Sequence, residues 1–408
     1  MPQLTLFLSG QNQNLILINL FTFFDFMLKL QFLCVVFLLG IWACSTKTND
    51  KTVPIITFTI DSLNVKIDTN ALNSYYVFSV QKNTSHFIGY NNLKHSLDLF
   101  DLEKKKYLRS IVLAKEGPNQ ISEIRGIDFI SSDSIFVSDQ NFSLKIVGAN
   151  GQVKSTFNLL NSMTGNPRFI GEPIVNQYVR LQYLPKRKSI IFFSAQQSKD
   201  LLKQSIFAEF NLQTGKLKPL PIYFSEYYQK NEGKFGFMSY ANCTPLNDSL
   251  IIYNFLYEKD IYTLNLLSNT IRKYQEPNSS FIIGKALTVG TPNEENLEKL
   301  QIHAIENPHY FQVLVDDEKE LFYRFSWEGI PYEANDKTFK PFMDKNIVLS
   351  VFDKNLNLIG ETKLKANTYM VFSWFVTKEG IYIGNTHPKN NDIRENILSF
   401  HLLKIDTK

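Results

Sequence analysis

The strongest constraint on the fold of this 408-residue chain is a strand–turn–strand pattern that recurs along it. Five segments share the pattern, which is an alternating apolar strand, a polar turn and a second strand. They are Leu97 to Tyr107, Leu144 to Val153, Ala208 to Leu217, Ile261 to Thr270 and Leu349 to Leu358. Asn150-Gly151 and Thr214-Gly215 at two of the turns supply the positive φ that tight hairpins need. A second recurring strand opens on a polar or small residue: His86 to Tyr90, Ser134 to Ser138, Ser189 to Phe193, Ser249 to Tyr253, Glu320 to Arg324 and Gly380 to Gly384. Their starts lie roughly 48 to 71 residues apart, near the ~40–50-residue period of a propeller blade once loops are added. Four short strands per repeat, with turns such as Ser131-Ser132-Asp133 between them, point to an all-β fold, a six-bladed β-propeller.

The two ends of the pattern fit a closed ring. The last repeat, Tyr369 to Ile405, has three strands, and the chain stops where the other repeats turn back for a fourth. Ile55 to Ile60 and Leu63 to Ile67 read as two spare strands before the first repeat, one of which would pair with the last blade and remove an open sheet edge. A seven-bladed ring is the competing count, because residues 272–345 are long for one repeat. Within that stretch Thr291 to Ile302 starts like a helix, with an early Pro and acids in the first turn. Leu297, Leu300 and Ala304 then mark one apolar face.

The N-terminal region addresses the chain. Residues 27–43 read as a lipoprotein signal peptide: Met27-Leu28-Lys29, an apolar run to Ile41, then Ala43 before Cys44. Lipidation falls on Cys44. The apolar run is too short for a bilayer span, which takes ~20 residues, although an uncleaved anchor helix is the alternative. Residues 1–26 read as an upstream extension outside the protein, residues 44–53 as a tether, and residues 54–408 as one β-propeller domain. The membrane is thus a partner through the N-terminal lipid.

Composition narrows the function classes. Formal charge is +4, without a basic stripe, so nucleic-acid binding has no electrostatic support. Of three cysteines, Cys34 lies in the signal core and Cys44 takes the lipid. Cys243 alone remains, reads as a buried core residue, and leaves no disulfide. No Gly-x-Ser-x-Gly elbow and no zinc-type histidine spacing is present, so neither a cofactor nor a metal is implied. Asp316-Asp317-Glu318, Lys104-Lys105-Lys106 and Lys186-Arg187-Lys188 read as solvated turns.

Propellers bind at one face, through loops that lead into the innermost strands and loops between second and third strands. Arg125, Arg180, Tyr240, His309 and Trp374 fall in those regions, either holding an acidic or sugar-like ligand or packing blade interfaces. Two functions remain. One is a non-catalytic binding or scaffolding module for a protein or glycan. The other is a hydrolase or lyase at the channel mouth, which needs convergent carboxylates such as Asp128, Asp139 or Glu258.

Glu116-Gly117-Pro118-Asn119, Gly126-Ile127-Asp128-Phe129 and Asp133 to Val137 give the chain a family likeness. It resembles the six-bladed β-propeller lipoproteins of unknown function common in Bacteroidota, over residues 54–406. That resemblance implies an exported protein anchored to the outer membrane, and it transfers no catalytic residues. Surface-exposed lipoproteins of that phylum often carry acids just after the lipidated cysteine. Here Ser45 to Asp50 holds one acid, late, which implies a periplasm-facing anchor.

Overall fold

The computed structural model describes residues 54–405 except 82–83, 160–170, 177, 197–200, 237–238, 276–283, 288–293, 333–341 and 371. The signal peptide, Cys44, the upstream extension and the tether lie outside the described residues.

Strands follow one another in antiparallel meanders. β1 (Phe58–Lys66) precedes β2 (Phe78–Val80), β3 (His86–Asn91), β4 (Ser96–Asp101) and β5 (Lys106–Val112). β6 (Ile124–Ser131), β7 (Ser134–Asp139), β8 (Ser143–Val147) and β9 (Val153–Asn158) form a sheet in chain order. β10 (Gly171–Ile174) and β11 (Gln182–Leu184) both pair with β12 (Ser189–Gln196), which continues through β13 (Phe207–Asn211) to β14 (Leu217–Pro219). Helix α1 (Glu226–Lys230) leads to the sheet of β15 (Ala241–Pro245), β16 (Leu250–Phe255), β17 (Ile261–Asn265) and β18 (Ile271–Tyr274). Helix α2 (Leu297–Glu306) leads to β19 (His309–Asp316), β20 (Leu321–Trp327), β21 (Ile347–Phe352) and β22 (Leu358–Lys363). β23 (Trp374–Thr377), β24 (Gly380–Gly384) and β25 (Ile397–Ile405) end the fold.

The six polar- or small-led segments of the sequence fall on β3, β7, β12, β16, β20 and β24, and the five hairpins on β4–β5, β8–β9, β13–β14, β17–β18 and β21–β22. Burial explains why the middle strands lack a polar face. Every residue of β4, β21 and β24 is buried, so both faces are covered by neighbouring sheets, whereas β9 and β18 are half-exposed or exposed throughout. A polar residue inside such a strand must be fully bonded. Asp98 on β4, with 0% exposure, accepts from Tyr75 Oη (2.7 Å), Asn91 Nδ2 (3.0 Å), Ser96 Oγ (3.2 Å) and Ser110 Oγ (2.5 Å).

The N-terminal segment differs from the sequence reading in one respect. The two spare strands are a single nine-residue strand, β1, running antiparallel to β25 from Phe58 opposite Ile405 to Lys66 opposite Ile397. Asp61 and Ser62 resemble a break only because β1 is an outer strand whose polar residues face solvent; Asp61 pairs with Lys404 at 2.7 Å. β1 touches β5 through Lys66 and Lys106, which joins the first and last strands in one eight-stranded sheet. Behind that junction Phe87 packs on Phe375 at 5.7 Å and Phe400 at 5.5 Å, sealing it with aromatic surface.

Helix α2 buries Leu300, His303, Ala304 and Ile305, while Leu297 is 44% exposed, so the packed face is turned one position from the anticipated one.

Candidate functional site

Arg125, His309 and Trp374 stand at the starts of β6, β19 and β23, and Arg180 and Tyr240 just before β11 and β15. The β16–β17 turn reaches the same end, where Tyr310 N donates to Leu256 O at 2.8 Å.

The geometry separates these five residues. Arg180 reaches across from β11 to place its guanidinium 4.6 Å over the Phe78 ring and to donate to Trp374 O at 3.5 Å. Beside it Tyr178 meets Phe372 edge-on at 4.6 Å and Phe311 at 6.4 Å, while Trp374 stacks on Phe325 at 4.5 Å. Side chains from three sheets thus fill the middle of this end with aromatic rings. Arg125 and Arg180 line a narrow crevice with Tyr76, Phe78 and Asn176. Tyr240 packs edge-on against Phe193 at 5.9 Å. Asp128, behind Arg180, accepts from Tyr183 N at 3.0 Å. Burial pushes its carboxyl up to about 6, against that hydrogen bond and the Arg180 charge, and burial lowers Arg180 to about 10.

His309 belongs to a buried polar cluster. Lys345 Nζ donates to Ala304 O (2.8 Å), Asn307 O (2.6 Å) and His309 Nδ1 (3.1 Å), so the ammonium closes the C-terminus of α2. Since Nδ1 accepts, the ring carries its hydrogen on Nε2 and donates to Tyr257 Oη at 3.2 Å. Burial, and then the Lys345 charge, holds His309 well below the ordinary histidine range; burial likewise lowers Lys345. No local pattern signals this pairing, which joins residues 36 positions apart.

The open concavity at this end is a cleft of about 440 Å³ between α1, the β16–β17 turn and β18. Its walls are Ser225, Glu226, Tyr227, Lys230, Glu258, Lys259, Asp260, Tyr262 and Lys273. Ser225 caps α1 by accepting from Tyr228 N at 3.3 Å and donates its hydroxyl hydrogen to Glu258. Tyr262 Oη donates to the second Glu258 oxygen at 3.1 Å. Glu258 is 5% exposed, and burial raises its carboxyl pKa despite those two hydroxyl bonds. Lys273 pairs with Asp260 at 2.7 Å, and Lys230 with Glu226 at 3.8 Å.

The three carboxylates proposed to converge are held apart, each in its own set of partners. Asp128 lies behind Arg180, Glu258 lines the cleft, and Asp139 pairs with Lys145 at 3.4 Å and accepts from Asn141 N and Ser143 N. Among the described residues no three His, Cys, Asp or Glu side chains are grouped to hold a metal ion. Cys243 is buried and its thiol is pushed up by burial, which removes its nucleophilic form. Asp316 closes the β19–β20 hairpin by accepting from Lys319 N at 3.1 Å. Arg187 departs from the solvated-turn reading. Its guanidinium makes two bonds, of 2.7 and 2.8 Å, to the buried Glu209 carboxylate across the sheet.

The model of a family described as a domain of unknown function, DUF4221, matches residues 54–363. The chain belongs to the DUF4221 family. A crystallised DUF4221 member from Bacteroides vulgatus is 20% identical, with a TM-score of 0.72 over 87% of this chain and 99% of that one. A Bacteroides fragilis structure that carries an exported-protein designation is 9% identical, with a TM-score of 0.52 over 87% of this chain and 98% of that one. At these identities the likeness speaks for a shared all-β fold. No curated protein matches the chain. Among the described residues no helix is long and apolar enough to cross a membrane.

Proposed function

We propose that this DUF4221 chain is an exported lipoprotein, anchored at the outer membrane through Cys44 and facing the periplasm, whose propeller is a non-catalytic binding module. The strand groups are read as six blades, the last completed by β1. The observation that carries the binding reading is the cleft of about 440 Å³ beside the β16–β17 turn, within the size range of small-ligand sites. Its buried carboxylate is held by the Ser225 and Tyr262 hydroxyl groups, an arrangement that fixes both oxygens where a ligand would meet them. The exported-protein designation of the Bacteroides fragilis neighbour supports the envelope location. Phe58 pairs with Ile405, at the end of the last meander opposite the one where β25 starts, so a chain leading into Pro54 joins the ring away from the cleft.

One observation favours the hydrolase or lyase reading: Glu258, with its raised pKa, could donate a proton within the cleft. Incubation with dipeptides and oligosaccharides, followed by native mass spectrometry and product analysis, separates the two. A binding module returns its ligand unchanged. Turnover that disappears in Glu258→Gln establishes the enzyme.

A further inference from the structure

Charge matching in the cleft singles out two side chains. Of its three acids and three lysines, Glu226 is paired with Lys230 and Asp260 with Lys273. Glu258 and Lys259 are left over. Among the described residues no lysine or arginine lies within ion-pair distance of Glu258, and no carboxylate within that distance of the Lys259 ammonium. The Lys259 backbone is fixed, since its carbonyl accepts from Arg324 Nη1 at 2.6 Å. A half-buried lysine and a buried carboxylate, neither in an ion pair among the described residues, therefore line one cleft.

We infer that the cleft binds a small zwitterion, an amino acid or dipeptide with free ends, its ammonium against Glu258 and its carboxylate against Lys259. This inference rests on the binding-module reading of the same site. A polyanion is disfavoured by three acids in the wall. A neutral sugar finds its stacking faces already used: Tyr262 has Tyr253 stacked at 5.1 Å and the Lys273 ammonium 5.8 Å from its ring centre, and Tyr227 packs against Phe235 at 5.4 Å. Charge-assisted hydrogen bonds at both ends would fix the ligand's direction. An arriving ammonium favours ionised Glu258, whose carboxyl pKa burial raises, so affinity falls as pH falls.

Isothermal titration with alanyl-alanine, its N-acetyl form, its C-terminal amide and maltose tests the inference on the unaltered protein. The free dipeptide is expected to bind, and blocking either end to weaken binding by about tenfold or more. Lys259→Met should cost the free dipeptide a similar factor while leaving the amide unaffected, and Glu258→Gln should behave likewise toward the N-acetyl form. Equal binding of free and blocked dipeptides, or none by the free form, overturns the inference. Maltose binding lost in Tyr262→Ala also overturns it, while leaving the binding module standing. Dipeptide that binds and is cleaved keeps the ligand class and overturns the module reading instead.

Discussion

Lys345 and His309 show how a single buried contact shapes this fold. The ammonium satisfies two carbonyls at the end of α2, and its removal in Lys345→Met leaves both acceptors buried without a donor. A loss of about 2–6 kcal/mol in urea unfolding is expected, at roughly 1–3 per orphaned carbonyl. His309 adds a pH dependence. Its folded pKa is depressed, so the unfolded chain takes up a proton first, and the stability from the neutral ring is present above about 6.5 and lost as pH falls below it. Asp128 acts in the opposite sense: its carboxyl, held up at about 6, penalises folding above that pH, and the penalty is relieved as pH falls. The variant difference isolates the histidine. His309→Gln should lose less stability than the unaltered protein between about pH 7 and 5, and equal slopes would contradict this. Sequence placed His309 at the start of an innermost strand. Its bond from Lys345, which lies just before β21, joins distant parts of the chain and leaves no local pattern.

At the scale of elements, the turns made the fold legible. Asp101, Asn211, Asn265 and Asp353 each accept backbone N–H groups from the turn that follows, from Lys104, Gln213, Leu267 and Asn355 among others. The same chemistry recurs before each outer strand, so the hairpins stand out even where the strands differ. Less legible was the path of the N-terminal segment, since pairing of β1 with β25 spans the whole domain. Gly360 marks that path. A Cβ there would lie 2.5 Å from Ile56 Cγ1 and 2.7 Å from Pro54 O, where residues 54–56 cross β22. Gly360→Val should displace this crossing, speeding limited proteolysis near residue 56 and lowering the thermal midpoint by several degrees, at about 1–3 kcal/mol. An unchanged cleavage pattern would show that the crossing does not restrain β1.

For the whole molecule, one strand ties the two ends of the fold together. β1 both completes the last meander and touches β5, which joins the first and last strand groups in a single sheet. Cys44→Ser is expected to abolish lipid labelling and to move the protein from the membrane to the soluble envelope fraction, and retention in the membrane would refute the anchor. The cleft was only partly legible. Glu258 was one of three carboxylates named for the channel mouth, but Ser225, Tyr262 and Lys273 join it in the cleft from the cap of α1, β17 and β18. The central claim is that ligand binds beside the β16–β17 turn. Amide hydrogen exchange with and without alanyl-alanine tests it most directly. Slower exchange at residues 225–230 and 256–262, with 124–127 and 178–181 unchanged, is the expected result. Protection at the Arg125 and Arg180 crevice, or nowhere, would contradict it.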